Sequence, residues 1–251
     1  MDQNIRGFNI IEQEYKSTQA LPVTRTFMAN VFLWMTLALA VTAVTAYWFA
    51  SSKELIGSLI NITNGRYTGL SMLGWIVMLA PLGFVLLMSM GFQRLSPAIM
   101  TLLFITFSVL MGMSLSFILL VYTGSSVFKT FAVTSAMFGV MAVLGYTTKT
   151  DLTKFGSILI MALFGIIIAM VVNMFMHSSM MEYIISVLGV LIFTGLTAYD
   201  VQKLKRIGAG ITGVNAQDAN VRKVSILGAL TLYLDFINLF LFLLRFLGDR
   251  K

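Results

Sequence analysis

The sequence predicts an all-α integral membrane protein built as a seven-transmembrane-helix bundle. Apolar residues make up 58% of its 251 residues and charged residues only 11%, a balance far from that of a soluble domain. Seven apolar runs, each long enough to cross a bilayer, follow one another along the chain. Little sequence remains outside these runs, so we expect one membrane domain and no separate catalytic module.

The predicted spans occupy most of the chain after residue 26. A tail of residues 1–26 mixes acids and bases and lacks the basic start and apolar core of a cleaved signal. We expect this tail to lie in the cytosol and residues 27–251 to form the membrane domain. The spans are Phe27–Ala50, Gly69–Met90, Ala98–Val121, Val127–Tyr146, Phe155–Met176, Tyr183–Asp200 and Ile226–Phe246.

The distribution of basic residues predicts that the amino terminus is cytosolic. With that orientation, 11 of the 17 Lys and Arg residues fall on the cytosolic side of the membrane, as the positive-inside rule requires. The net charge of +7 is therefore attributed to helix ends rather than to nucleic-acid binding. The absence of cysteine excludes disulfides and thiol chemistry.

One acidic residue, Asp235, lies in the middle of the last span, ILGALTLYLDFINLFLFLLRF. An ionised Asp there costs about 2.5–3.5 kcal/mol, so it needs a partner, a proton or a water-filled cavity. Asp200 ends the preceding span, directly after Tyr199. Thr231 and Asn238 share the helical face of Asp235. We predict that the two aspartates form an intramembrane pair, supported by this polar stripe and Tyr199.

Two carboxyl groups in contact in a low-dielectric medium cannot both ionise cheaply, so the pair is expected to keep one shared proton. Loss of that proton leaves two like charges, which we expect to favour opening. A calcium ion could neutralise them in a transient contact with Asp200 and Asp235, and Arg94 could offset them partly. The same Arg94 can also be explained as a basic residue that snorkels to the cytosolic surface.

Two stretches carry a resemblance to a known family. GLTAYDVQKLK (Gly195–Lys205) and LTLYLDFINLFLFLLRFLG (Leu230–Gly248), together with the seven spans, resemble the transmembrane Bax inhibitor motif family, particularly its bacterial inner-membrane members. The resemblance implies a pH-sensitive calcium-leak channel in which two aspartates share a proton and an arginine of the second helix holds the closed state. It places these roles on Asp200, Asp235 and Arg94.

Two alternatives to a channel remain at this stage. One is a non-conducting scaffold that regulates other membrane proteins, with the aspartates as structural groups. The other is an intramembrane aspartyl protease, which also uses two acids on consecutive helices. That class has Gly-x-Gly-Asp at its second acid, whereas Leu232, Tyr233 and Leu234 precede Asp235 here. We therefore expect no enzyme and no cofactor, with lipid, protons and calcium as partners and protein partners left open.

Overall fold

The computed structural model describes the backbone of residues 2–63, 66–211 and 218–251, and the side chains of residues 23–61, 68–211 and 218–251. In chain order its elements are α1 (Asp2–Ser51), α2 (Lys53–Leu59), β1 (Ile60–Thr63), β2 (Arg66–Leu70), α3 (Met72–Gly91), α4 (Pro97–Val121), α5 (Gly124–Thr147), α6 (Thr153–Met176), α7 (Ser179–Ala209) and α8 (Ala219–Leu247).

Within the described residues, seven helices are long and apolar enough to cross a membrane. They are the Val23–Ser51 part of α1, then α3, α4, α5, α6, α7 and α8. The predicted all-α fold with seven spans is therefore confirmed. The predicted tail lies mostly before the first described side chain, although the backbone of α1 runs through it from Asp2.

The last two transmembrane helices are longer than their apolar runs. α7 continues past Asp200 through Lys203, Lys205 and Arg206, and ends at Ala209. α8 begins at Ala219, ahead of the predicted start at Ile226. Hydropathy marks where charged side chains return to the membrane surface, whereas backbone hydrogen bonds continue beyond that point. Asp200 consequently lies inside a helix rather than at its end.

A short helix and a hairpin connect the first two spans, which hydropathy alone does not reveal. α2 starts after the cap residue Ser52 and runs directly into β1. The antiparallel strands β1 and β2 pair Ile60 with Leu70, and Asn61 with Gly69. Gly69 has a φ of 143°, which a residue with a side chain rarely adopts. This connection holds the ends of α1 and α3 together.

α8 is the central helix of the bundle and packs against α1, α4, α5 and α7. Its Tyr233 is fully buried, and the ring contacts Phe107 edge-on at 5.2 Å between centroids. The Thr42 hydroxyl lies 2.8 Å from the Tyr233 hydroxyl and donates to the Ser108 carbonyl at 2.9 Å. Because helices in lipid gain little from apolar burial alone, such contacts matter for fixing α8 against α1 and α4.

Candidate proton and cation site

The structure brings together the two aspartates that the sequence singled out. The carboxyl groups of Asp200 in α7 and Asp235 in α8 lie within hydrogen-bonding reach of each other. Asp200 is 9% exposed and Asp235 is 5% exposed. Two buried carboxyl groups in contact favour a shared proton, because the proton allows one to donate to the other and removes one of two like charges.

Two glycines, one on each side of the pair, allow α7 and α8 to approach closely. A Cβ at Gly189 of α7 would lie 2.5 Å from ring atoms of Phe242, and a Cβ at Gly228 of α8 would lie 2.7 Å from Leu204. Neither position therefore has room for a side chain without displacing its neighbour. This close packing sets the distance between the two helices where the aspartates meet.

Both aspartates line a cavity of about 440 Å³ between α6, α7 and α8. Its α6 wall consists of apolar residues, namely Ile160, Leu163, Ile167 and Met170. Thr231 and Asn238 line the cavity on the same helix as Asp235, as the predicted stripe requires. One oxygen of Asp235, Oδ2, is buried and accepts no hydrogen bond from an N–H or hydroxyl group in the described part of the chain, so the hydrogen-bonding neighbour of this carboxyl group is Asp200.

The two neutral members of the stripe bond to their own helix. The Asn238 amide donates through Nδ2 to the Leu234 carbonyl at 2.8 Å. The Thr231 hydroxyl donates to the Leu227 carbonyl at 3.1 Å. Both side chains give a hydrogen to the preceding turn of α8 and keep acceptor lone pairs on oxygen.

The other two predicted site residues lie elsewhere. Arg94 is exposed in the turn after α3, where its backbone N–H donates to the Gly91 carbonyl at 2.9 Å. No hydrogen bond or ion pair between the described side chains links Arg94 to either aspartate, and it does not line the cavity. The Tyr199 ring packs against Gly156 of α6, with the Lys203 ammonium 6.0 Å from its centroid.

Two cations that the sequence reasoning missed lie closer to the site. Lys203 interacts electrostatically with Asp200 from the next turn of α7. Arg245 lines the cavity towards the carboxyl end of α8. The signal for Arg245 was present in the sequence, because Thr231, Asn238 and Arg245 recur every seven residues and so lie on one helical stripe.

The segment of α7 just beyond Asp200 holds the loop between α5 and α6. Gln202 is 5% exposed, and its Oε1 accepts from the Leu152 N–H at 2.9 Å. Its Nε2 donates to the Thr150 carbonyl at 2.8 Å. One turn later, Lys205 donates to the Tyr146 carbonyl at 2.8 Å. Hydropathy and spacing gave no sign of these contacts, because the partners are backbone groups.

An exposed ion pair completes this arrangement, which we term the loop clamp (Gln202, Lys205 and Arg206 with residues 146–153). Arg206 donates to Asp151 at 2.7 Å and to the Thr153 hydroxyl at 2.9 Å. The hydroxyl and N–H of Thr153, followed by Arg206, hold the pKa of Asp151 well below its usual range. Asp151 therefore stays ionised at neutral pH and does not contribute to a titration there.

Comparison with known proteins places this site in a family context. The family model described as "Inhibitor of apoptosis-promoting Bax1" matches residues 24–251. The protein belongs to the Bax inhibitor family. The match to the Bax inhibitor model takes in all seven spans and both aspartates, so the predicted membership is confirmed.

Bacterial relatives of this Bax inhibitor family protein are similar over nearly its whole length. "Inner membrane protein YbhL" of Escherichia coli K12 is 46% identical over 227 residues, covering 90% of this chain and 93% of that protein. "Uncharacterized protein RP147" of Rickettsia prowazekii is 42% identical, with 90% and 91% coverage. A protein of Deinococcus radiodurans is 40% identical, with 95% and 97% coverage. The chain is a multi-pass bacterial inner-membrane protein.

Proposed function

We propose that the protein is a calcium-permeable channel or transporter whose activity depends on pH, with Asp200 and Asp235 as its proton sensor and cation gate. One observation carries this proposal: two buried carboxyl groups from different helices meet in a membrane-embedded cavity. Ionisable groups at such a position are costly and usually serve an ion or proton pathway. In this proposal the protein is not an enzyme and needs no cofactor.

The sensing step follows from the chemistry of the pair. With one shared proton, a hydrogen bond joins α7 to α8 and the pair carries a single negative charge. When that proton leaves, the hydrogen bond is lost and two negative charges repel each other. The free energy holding α7 against α8 therefore changes with pH, which is the property a pH-dependent gate needs.

Calcium suits the same atoms as the proton. It is a hard cation that binds carboxylate and other oxygen ligands, and its charge balances that of the two ionised aspartates. Protons and calcium then compete for one pair of carboxyl groups. Arg94 is exposed and does not line the cavity that holds the pair, so the proposed gate in this conformation consists of the two aspartates alone.

The test is calcium flux through the purified protein in liposomes, measured between about pH 6 and pH 8. We expect a flux above that of empty liposomes, with a rate that varies with pH in the wild-type protein. Asp218→Asn is the matched control, because Asp218 is exposed and its side chain caps no backbone group. This variant should keep the wild-type pH profile.

Other results would favour the alternatives. A flux equal to that of empty liposomes throughout this range would contradict the channel and favour the regulatory scaffold. Cleavage of a helical membrane substrate that Asp235→Asn abolishes would instead identify an aspartyl protease.

A further inference from the structure

We propose that a groove between α1 and α5 binds one acyl chain of a membrane phospholipid. Both helices pack against α8, but within the described residues they have no extensive contact with each other. The walls of this α1–α5 groove come from residues 32–47 of α1 and 124–142 of α5, and its floor consists of Phe236, Ile237 and Phe240 of α8. None of these three lines the cavity of the acid pair. The lipid site is therefore separate from the proposed ion site.

The length of the groove suits an acyl chain. Two cavities, of about 370 Å³ and about 450 Å³, share the lining residues Leu39, Ala43 and Phe131 and so form one continuous space. Along α1 the lining extends from Phe32 to Tyr47, a distance of roughly 22 Å at 1.5 Å per residue. One leaflet of the hydrocarbon core is about 15 Å thick. A chain that crosses one leaflet can therefore lie in the groove along its whole length.

The lining of the groove selects an apolar occupant. It is apolar apart from Tyr47 at one end and the hydroxyl groups of Thr36, Thr42 and Ser135. Each of these three hydroxyls gives its hydrogen to a backbone carbonyl. Water in a cavity needs two to four polar partners, and apolar cavities stay dry. Hydrocarbon is therefore favoured over water in this space.

The width of the groove excludes a helix of a second copy or of another protein. A helix with its side chains is about 10–12 Å wide, so 22 Å of it fills roughly 2,000 Å³. The two cavities hold less than half of that volume. The Phe131 ring also stands edge-on to Phe236 at 5.4 Å and to Phe240 at 6.3 Å, which fixes one wall on the floor. A helix could touch only the rims, whereas an acyl chain reaches the floor.

A cation lies at one end of the groove. Leu119 of α4 lines this end, and its carbonyl accepts from Nζ of Lys251 at 2.8 Å. The ammonium of Lys251 is exposed and keeps two further hydrogens, which a phosphate oxygen can accept. Tyr47 and Trp48 are 72% and 64% exposed at the same end of α1, as is typical of aromatic residues at the membrane interface. The phosphate would therefore sit beside Lys251, with the acyl chain directed towards Phe32.

The experiment is photo-crosslinking of the full chain in phosphatidylcholine liposomes. The probe is phosphatidylglycerol with a diazirine in the middle of one acyl chain, and sequencing of the labelled peptides identifies the modified residues. We expect labelling of Phe236 or Ile237, which are only 3% and 5% exposed and form the floor. Lipids that merely surround the bundle would label outward-facing residues such as Leu82 of α3, which is 64% exposed.

Gly139→Leu should block the groove. Gly139 lines it, and a Cβ at this position would have no atom within 4 Å, so the new side chain enters the groove rather than the core. We expect floor labelling to fall about tenfold relative to labelling of Leu82, because the inserted side chain overpacks the space that the acyl chain needs. Gly165→Leu in α6 is the matched control. A Cβ there also has no atom within 4 Å, but Gly165 lines neither cavity, so floor labelling should not change.

Lys251→Gln tests the position of the headgroup. It removes the charge beside Leu119 and should lower floor labelling by this anionic lipid about fivefold, the contribution of one Lys at a membrane surface. The substitution lies after the last helix, so it tests the site even if Gly139→Leu folds poorly.

The outcomes are independent of calcium flux. Labelling of Leu82 without labelling of the floor in the wild type would overturn the lipid site, as would floor labelling that both Gly139→Leu and Lys251→Gln leave unchanged. Floor labelling that these two variants reduce and Gly165→Leu preserves would support the lipid site, even if the protein passes no calcium.

Discussion

The protonation of Asp200 and that of Asp235 depend on each other. Either acid alone in this bundle would be a buried group in need of a proton or a counter-ion. Because their carboxyl groups are in contact, the protonation of one depends on the state of the other, and the apparent titration belongs to the pair.

The pairing predicts a non-additive result. Asp200→Asn and Asp235→Asn should each flatten the pH dependence of calcium flux, because each removes the shared titration. The double variant should add little to either, as expected for residues in direct contact. Flux profiles of the four proteins in liposomes provide the measurement. Two single variants that keep separate pH responses with additive effects would show that no proton is shared.

Arg94 is a positively charged residue at an exposed position, whereas the two aspartates are buried. Because it does not contact the pair in this structure, Arg94→Ala should leave the midpoint of the pH profile unchanged. A higher midpoint would mean that Arg94 approaches the aspartates in another conformation, since removing a nearby cation makes the second ionisation harder.

Among the elements, α7 connects the acid pair to the loop between α5 and α6. Gln202 lies two residues beyond Asp200 and bonds to both Leu152 and Thr150. The position of Asp200 relative to Asp235 therefore depends in part on the loop clamp. Loosening the clamp should let the carboxyl groups separate, which weakens both the shared hydrogen bond and the repulsion after ionisation.

Gln202→Ala is accordingly expected to move the midpoint of the flux profile to lower pH. Separated carboxyl groups ionise more easily than groups in contact, so the shared proton leaves at a lower pH. Asp151→Asn should leave the midpoint unchanged, because it removes an ion pair whose side chains are 48% and 67% exposed. The lowered pKa of Asp151 also means that its ion pair persists above that pKa, throughout the measured range.

The close contact of α7 with α8 predicts a loss of stability when its space is filled. Gly189→Ala would place a methyl group against the Phe242 ring, which is already stacked on Phe193 at 5.8 Å. We expect destabilisation by about 1–3 kcal/mol, as for other overpacked contacts. Gly165→Ala in α6 is the control, since a Cβ at that position would have no neighbouring atom within 4 Å. Denaturant unfolding in detergent measures both.

For the molecule as a whole, the basic residues predict an amino terminus in the cytosol. The chain has no cysteine, so single cysteines can report on each side of the membrane. In intact cells, an impermeant maleimide should label Lys53→Cys but not Lys149→Cys. The reverse pattern would invert the orientation. Disruption of the membrane should make both positions reactive and serves as the control.

The sequence predicted the seven spans and the meeting of Asp200 with Asp235, because hydropathy and the cost of a buried charge are strong local signals. It did not predict the loop clamp, since Gln202 recognises backbone groups that every residue carries. It also did not separate the two explanations of Arg94, because a basic residue at a helix end satisfies the positive-inside rule wherever its side chain points. The ends of α7 and α8 extend beyond their apolar runs for a related reason.

The position of α6 at the edge of the bundle has a mechanical consequence. Among the described helices its extensive packing is with α7, yet it forms a wall of the cavity. Acyl chains therefore contact that helix from outside, and tilting of α6 is one way in which a mismatch between its apolar length and the bilayer thickness is accommodated. We expect calcium flux at constant pH to change with lipid chain length in reconstituted liposomes. The protein would then respond to the thickness of its membrane as well as to protons.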